Sequence, residues 1–388
     1  METPASPVQE VSDPARGPET VTGEDRTRSF EILRLGARSV LNEQAWPQLR
    51  NLLLEDVNWP YVYAEARFHR VDQLLGKTLL SHFPESVPGD LSRVFEGRMK
   101  ATALRSAFLI GELHRVTNLL QEDGIRSLPL KGAILSEMAY GDLRLRPFSD
   151  LDLVVRPDRF IAARDLLLND RYEPFGSHAL VRPAFRGLTM WLRRQFELKR
   201  GGGYFNLDLH AALMPPLYSF PISFDELYDR AEEIELGSEL IRTFHPDDML
   251  IILCFHGVKN QWRQLKHVCD IAEFVRRQSD LAWPMIVDNA RRMRCTRIVY
   301  QGLYLARQML DAPVLEQALT SLEHGAAHSA ADRAIYRFAG RSVAPPPSVS
   351  DRFRDNLAVL DTPLHKARYI AVALVRRISA LFEKDVTE

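Results

Sequence analysis

The segment Phe148-Ser149-Asp150-Leu151-Asp152-Leu153-Val154-Val155 alternates acidic and aliphatic residues. In an extended strand alternate side chains share a face, so Asp150 and Asp152 project together while Leu151, Leu153 and Val155 turn the other way. Two carboxylates so close repel and raise one another's pKa unless a cation neutralises them. The fitting cation is a hard divalent ion with oxygen ligands, Mg2+ or Mn2+. On its own Asp-x-Asp also fits two solvated aspartates at a strand mouth, and Asp208 tips the balance. It stands inside a second apolar strand, Phe205-Asn206-Leu207-Asp208-Leu209-His210, where an unpaired charge is costly. Three acids on neighbouring strands can hold metal ions that activate an attacking hydroxyl and stabilise a pyrophosphate leaving group. Asp150, Asp152 and Asp208 are therefore the expected catalytic and metal-binding residues.

Upstream, Leu128 to Leu130 reads as a short buried strand that ends in Lys131-Gly132 and turns directly into a helix. Glycine permits close backbone approach at such a turn, and a helix N-terminus favours phosphate. Arg144 and Arg146 lie just before the aspartates and are placed to clamp phosphate oxygens bidentately. Lys131, Gly132, Arg144 and Arg146 form the expected nucleotide-binding set. His210 shares a strand face with Asp208, where orienting that carboxylate and a purely structural role remain open.

The elements that must position these residues follow from periodicity. Residues 124–220 read as a small mixed α/β unit. It contains the two acidic strands, a helix over Ala133–Tyr140, a helix over Asp158–Leu168, and a hairpin of Phe196–Lys199 and Tyr204–His210 around Gly201-Gly202-Gly203. Residues 28–123 and 221–388 carry apolar residues at three- and four-residue spacing and read as flanking helical regions, with Asp90 capping a long helix. Residues 1–27, rich in Pro, Glu, Thr and Gly, read as a disordered tail. Asp247-Asp248 opens a helix after His245-Pro246, where capping explains it, so it is excluded from the site. Cys254 with His256, and His267 with Cys269, stand two apart on helices and point to different faces, which argues against a joint zinc site. His256 and Trp262 read as core residues, and Lys259 and Lys266 as cations able to reach phosphate from the C-terminal helices.

Composition narrows the class. Fifty Lys and Arg against fifty-one Asp and Glu leave a formal charge of −1, so bulk charge gives no reason to expect a nucleic-acid partner. Three cysteines suit a reducing, cytoplasmic setting. The most apolar stretch near the end, Tyr369 to Phe382, is broken by Arg376 and Arg377, and the N-terminal residues lack the apolar centre of a secretory signal. No membrane partner is expected on those grounds.

The stretch LPLKGAILSEMAYGDLRLRPFSDLDLVVRPDRF, Leu128 to Phe160, resembles the signature of the uncharacterised nucleotidyltransferase family within the DNA polymerase β-like superfamily. Asp208-Leu209-His210, His256-Gly257, Trp262 and the Leu265-to-Asp270 segment are similar to later parts of the pattern. Members usually place Trp after the strand histidine, where this chain has Ala211-Ala212. The resemblance implies an α+β fold with a small mixed-sheet polymerase β-like core flanked by helical regions. It implies transfer of a nucleoside monophosphate, most often AMP, from an NTP to a hydroxyl or phosphate of an unidentified acceptor, with Mg2+ or Mn2+ as cofactor. Asp208 would activate the acceptor, and Gly132 with Lys131 would line the triphosphate site. A small molecule, a peptide or a carrier is the implied acceptor. The alternative is a nucleotide- or partner-binding protein that keeps the fold without turnover.

Overall fold

The computed structural model describes residues 21–175, 194–213, 222–340 and 348–383. Most of the expected tail, and the expected core boundary at 220, lie outside them. The expected tail nevertheless ends too late. A helix runs over Gly23–Gly36, started by a capping box in which Thr22 and Asp25 satisfy each other's backbone N–H groups.

The fold is α+β. Its central sheet has five strands, β1 (Ser127–Leu130), β2 (Asp150–Val155), β3 (Glu173–Pro174), β4 (Gln195–Arg200) and β5 (Phe205–His210), in the order β1-β2-β5-β4-β3. Among the described residues only β2 and β5 pair in parallel; the other neighbours are antiparallel. The alternation read from the sequence has a physical counterpart, since Leu151, Leu153 and Val155 are at most 2% exposed beneath the sheet. A two-stranded sheet, β6 (Glu232–Leu236) and β7 (Glu239–Thr243), is tied to β1 through Thr243 Oγ1, which donates to the Pro129 carbonyl at 2.9 Å.

The N-terminal helices lead into the helix Gly89–Glu122, which buries Leu109, Leu113, Val116 and Leu120 against the core. Pro88 occupies its N-cap, and the Asp90 carboxylate turns to Arg93 instead of capping. Glu112 faces the sheet, accepting from Tyr172 Oη at 2.6 Å and Arg200 Nη1 at 3.1 Å. Two expected helices are shorter or less regular than read. Gly132–Leu135 is one α-helical turn continuing as a π-helical turn, Ser136–Tyr140. Pro157–Arg159 is a 3-10 turn before the helix Phe160–Asn169.

On the C-terminal side the helices Pro246–Lys259, Lys266–Arg277 and Thr296–Leu310 meet at Gly302, where an added Cβ would lie 2.6 Å from Cys254 Sγ and 3.1 Å from Ile271 Cδ1. Cys254 is thus packing material, and Cys269 donates its thiol to the Ala37 carbonyl. His245, through Nδ1, caps the Pro246–Lys259 helix at Asp247 N. The aspartates expected to cap it are buried ties instead. Asp248 is gripped by Arg230 at 2.8 Å, and Asp247 accepts from Ala282 N at 3.1 Å.

Gly257 packs its bare Cα against Trp262, which is 3% exposed and donates Nε1–H to Gln301 at 3.0 Å. A Cβ at Gly257 would lie 2.0 Å from the indole ring, a position the buried ring cannot yield. The helix-propensity gain of Gly257→Ala, about 1 kcal/mol, should be outweighed by overpacking of about 1–3 kcal/mol. We expect a net loss in urea unfolding, and a variant as stable as the parent would contradict this packing.

Candidate active site

The parallel pairing of β2 with β5 sets Asp152 directly opposite Asp208, with Asp150 opposite Asn206 and Val154 opposite His210. Asp150, Asp152, Asp208 and His210 therefore point to one face of the sheet. On the other side of β2, Leu130 pairs with Asp152, so the chain leaving β1 delivers Lys131 to the same carboxylate. Lys131 Nζ stands 3.6 Å from Asp152 Oδ1, and His210 Nε2 lies 3.0 Å from that oxygen.

The Lys131 backbone has φ 53° and ψ −135°, a conformation comfortable only for glycine and costing about 1–3 kcal/mol elsewhere. The next residue, Gly132 at φ 39°, packs so closely that an added Cβ would lie 3.3 Å from the Asp150 carbonyl. The turn therefore aims a lysine at the carboxylates at the expense of local strain.

These neighbours split the titration of the two paired acids. Burial alone would raise Asp152, but Lys131 and the His210 hydrogen bond outweigh it and hold the carboxyl well below its usual range. For Asp208 the balance runs the other way, with Lys131 the weaker influence. Burial, then repulsion from Asp152 and Asp150, pushes it up to about 7, although Gln195 Nε2 donates to its Oδ2 at 2.7 Å. Burial lowers His210 despite Asp152, which favours a neutral imidazole donating Nε2–H to that carboxylate.

The acidic face opens into a cleft of about 420 Å³. The three aspartates, Lys131, Gly132, Arg146 and His210 line it, and the helical regions close it with Arg70, His256, Lys259, Asn260, Gln264, Lys266 and His267. Arg70 reaches the cleft through a seam. Lys266 N donates to the His69 carbonyl at 3.2 Å, Leu265 N to His69 Nδ1 at 3.2 Å, and Gln264 Nε2 to the Phe68 carbonyl at 2.9 Å. Lys266 makes no hydrogen bond or ion pair through its ammonium among the described residues. Burial and then Arg146 lower it to about 8. Burial pushes His267 down to about 3 and His256 well below its usual value, and their rings meet edge to face at 5.2 Å.

The two arginines are placed differently. Arg144 is outside the cleft; its fork closes on Asp142 two residues back, Nε to Oδ1 at 2.9 Å and Nη2 to Oδ2 at 2.7 Å. Arg146 borders the cleft, yet Asp270 takes its Nε at 2.7 Å and its Nη2 at 3.0 Å, and Tyr140 Oη donates to the same carboxylate at 2.9 Å. Burial opposes both charges of this pair, and their mutual attraction wins, holding Arg146 above and Asp270 below its usual value. Arg146 thus fastens the loop before β2 to the Lys266–Arg277 helix. Among the described residues, the group whose ligand atoms all lie within 4.8 Å of one another is Asp152, Asp208 and His210. Asp150, two residues earlier on the same face of β2, lines the cleft but is not part of this group.

A family described as uncharacterised nucleotidyltransferase matches residues 55–311. Comparison with curated proteins gives no match. Among solved structures, the chain is similar to an antigenic nucleotidyltransferase-like protein from Paracoccidioides brasiliensis, at 15% identity and a TM-score of 0.34, over 56% of this chain and 92% of that one.

The raised Asp208 carboxyl has a consequence for the metal-free protein. Its folded pKa of about 7 exceeds the unfolded carboxyl value, so its favourable contribution is complete below about pH 4 and is lost as pH rises through 7. In chelator, Asp208→Asn should be more stable than the parent at pH 8, by on the order of 1–3 kcal/mol, and should match it near pH 4. A difference independent of pH would contradict the assigned repulsion.

Proposed function

The chain belongs to the uncharacterised nucleotidyltransferase family, and from that premise we propose that the cleft transfers a nucleoside monophosphate from an NTP to an acceptor hydroxyl or phosphate. The observation that carries this reading is the register of Asp152 against Asp208, which sets two carboxylates side by side at the floor of a cation-walled cleft. Donor chemistry supports a divalent ion there, because Asp152, Asp208 and His210 each offer a ligand atom within 4.8 Å of the others and Asp150 faces the same side. Asp152 and Asp208, with Asp150 on the same face, would hold Mg2+ or Mn2+, the hard ions that carboxylate oxygens suit. A bound divalent ion supplies charge neutralisation at the α-phosphate and at the acceptor oxygen.

The chain's own groups account for the remaining demands. Asp208 receives the acceptor proton on its carboxylate as the acceptor oxygen bonds to the α-phosphorus. The bond from that phosphorus to the bridging oxygen breaks, and the electron pair leaves with pyrophosphate. His210 and Lys131 fix Asp152 in its ionised form. Lys266 and Arg70, brought together by the seam between the helical regions, face the cleft without an acidic partner among the described residues and receive the charge of the triphosphate. ATP is the donor that the family resemblance implies, and a small molecule, peptide or carrier the acceptor.

Calorimetric titration of each NTP, with and without Mg2+, tests the reading. We expect metal-dependent binding of at least one NTP, abolished by Asp152→Asn. Lys266→Ala should weaken NTP binding about tenfold, the scale of one charge-assisted contact, while leaving Mn2+ binding of the NTP-free protein intact. NTP binding indifferent to both metal and Asp152 would refute the proposal.

A further inference from the structure

The last described helix, Pro363–Glu383, lies beyond the family-matched residues 55–311 and has no role in the cleft. It is mounted firmly. Asp361, just before it, accepts from Thr296 N at 2.8 Å and Arg297 N at 3.1 Å, and Tyr369 Oη accepts from Asn356 Nδ2 at 2.8 Å. Tyr369 and Val372 pack inward at 8% and 5% exposure. The opposite face is apolar and open. Leu364, Ile370, Leu374 and Val375 are 68%, 38%, 57% and 36% exposed, and Ala367 and Ala371 between them are exposed too. With about 100° per residue these positions fall on one continuous stripe. The spacing runs on in the sequence through Ile378, Leu381 and Phe382.

Charge decides what such a stripe fits. From Pro363 to Phe382 the sequence holds Lys366, Arg368, Arg376 and Arg377 and no Asp or Glu. Lys366 and Arg368 fall at the two edges of the stripe by the same rotation, and neither makes an ion pair among the described residues. We infer that this helix is an interfacial anchor that lays its Leu364–Val375 face on an anionic lipid surface.

A second copy fits poorly. Two such stripes face to face bring basic edges together with no acid to pair them. The first twenty residues fit poorly as well, since they carry Glu2, Glu10, Asp13 and Glu19 but few large aliphatic side chains to cover the stripe. An interfacial helix needs one apolar face, not a spanning length, and no described helix is long and apolar enough to cross a membrane. The expectation of no membrane partner rests on the lack of a spanning segment and of a secretory signal, neither of which an interfacial helix requires. Lysine and arginine at the stripe's edges would lay their stems along the apolar boundary with their charges among anionic headgroups.

Flotation of the full chain with vesicles tests the anchor. One vesicle set is phosphatidylcholine and phosphatidylserine in a two-to-one ratio, the other phosphatidylcholine alone. We expect binding to the anionic set that weakens with salt, falls about tenfold or more in Leu374→Glu, and loses its preference for phosphatidylserine in Lys366→Glu/Arg368→Glu. Both variants alter exposed or edge positions, so circular dichroism and melting should match the parent, and the second variant still decides the question if the first misfolds. Absence of binding to either vesicle set, or binding unchanged in the variants, overturns the anchor. A lipid-free dimer dissolved by Leu374→Glu also overturns it and assigns the stripe to a second copy.

Discussion

The parallel pairing of β2 with β5 is the constraint on which the remainder of the site depends. It sets Asp152 against Asp208 in register, a placement that electrostatics opposes. The fold tolerates it by treating the two acids unequally. Asp152 receives Lys131 from the end of β1 and His210 from two residues past Asp208, and stays ionised. Asp208 accepts from Gln195 of β4 and feels Lys131 less than the repulsion of its neighbours, and its carboxyl rises to about 7. One shared arrangement thus gives the two carboxyls of the metal-free protein opposite shifts, Asp152 down and Asp208 up.

The helical regions complete what the sheet begins. Arg146 and Asp270 form a buried, bidentate pair, joined by Tyr140, that fastens the loop before β2 to the Lys266–Arg277 helix. Removing one partner of such a pair leaves an uncompensated buried charge, which makes it an anchor rather than a free clamp for substrate. The seam from Phe68 and His69 to residues 264–266 then brings Arg70 and Lys266 to the cleft rim from segments far apart in sequence. Acidic floor and basic rim therefore come from different parts of the chain.

What was legible in the sequence was local. The period-two alternation of β2 and β5 named the three aspartates and their common face, and the Lys131-Gly132 turn marked the delivery of a lysine beside them. The glycine hairpin named the β4–β5 pairing. The partners of the arginines were not legible. Arg144 meets Asp142 two residues away, whereas Arg146 meets Asp270 across 124 positions, and nothing in either residue's neighbourhood distinguishes the two. Asp247 and Asp248 looked like helix caps because their tertiary partners, Ala282 and Arg230, are set by packing. Arg70 gave no signal, since a seam of hydrogen bonds between two helical regions brings it to the cleft. His210 shared a face with Asp208 in the sequence, but the register with β2 makes Asp152 its partner.

The central claim is that the paired carboxylates form a divalent-cation site. Electron paramagnetic resonance of Mn2+ titrated into the protein without nucleotide tests it most directly. The account predicts a bound population that vanishes in Asp152→Asn, displaced by excess Mg2+. Mn2+ that remains free in the parent, or stays bound when Asp152 is replaced, would contradict it.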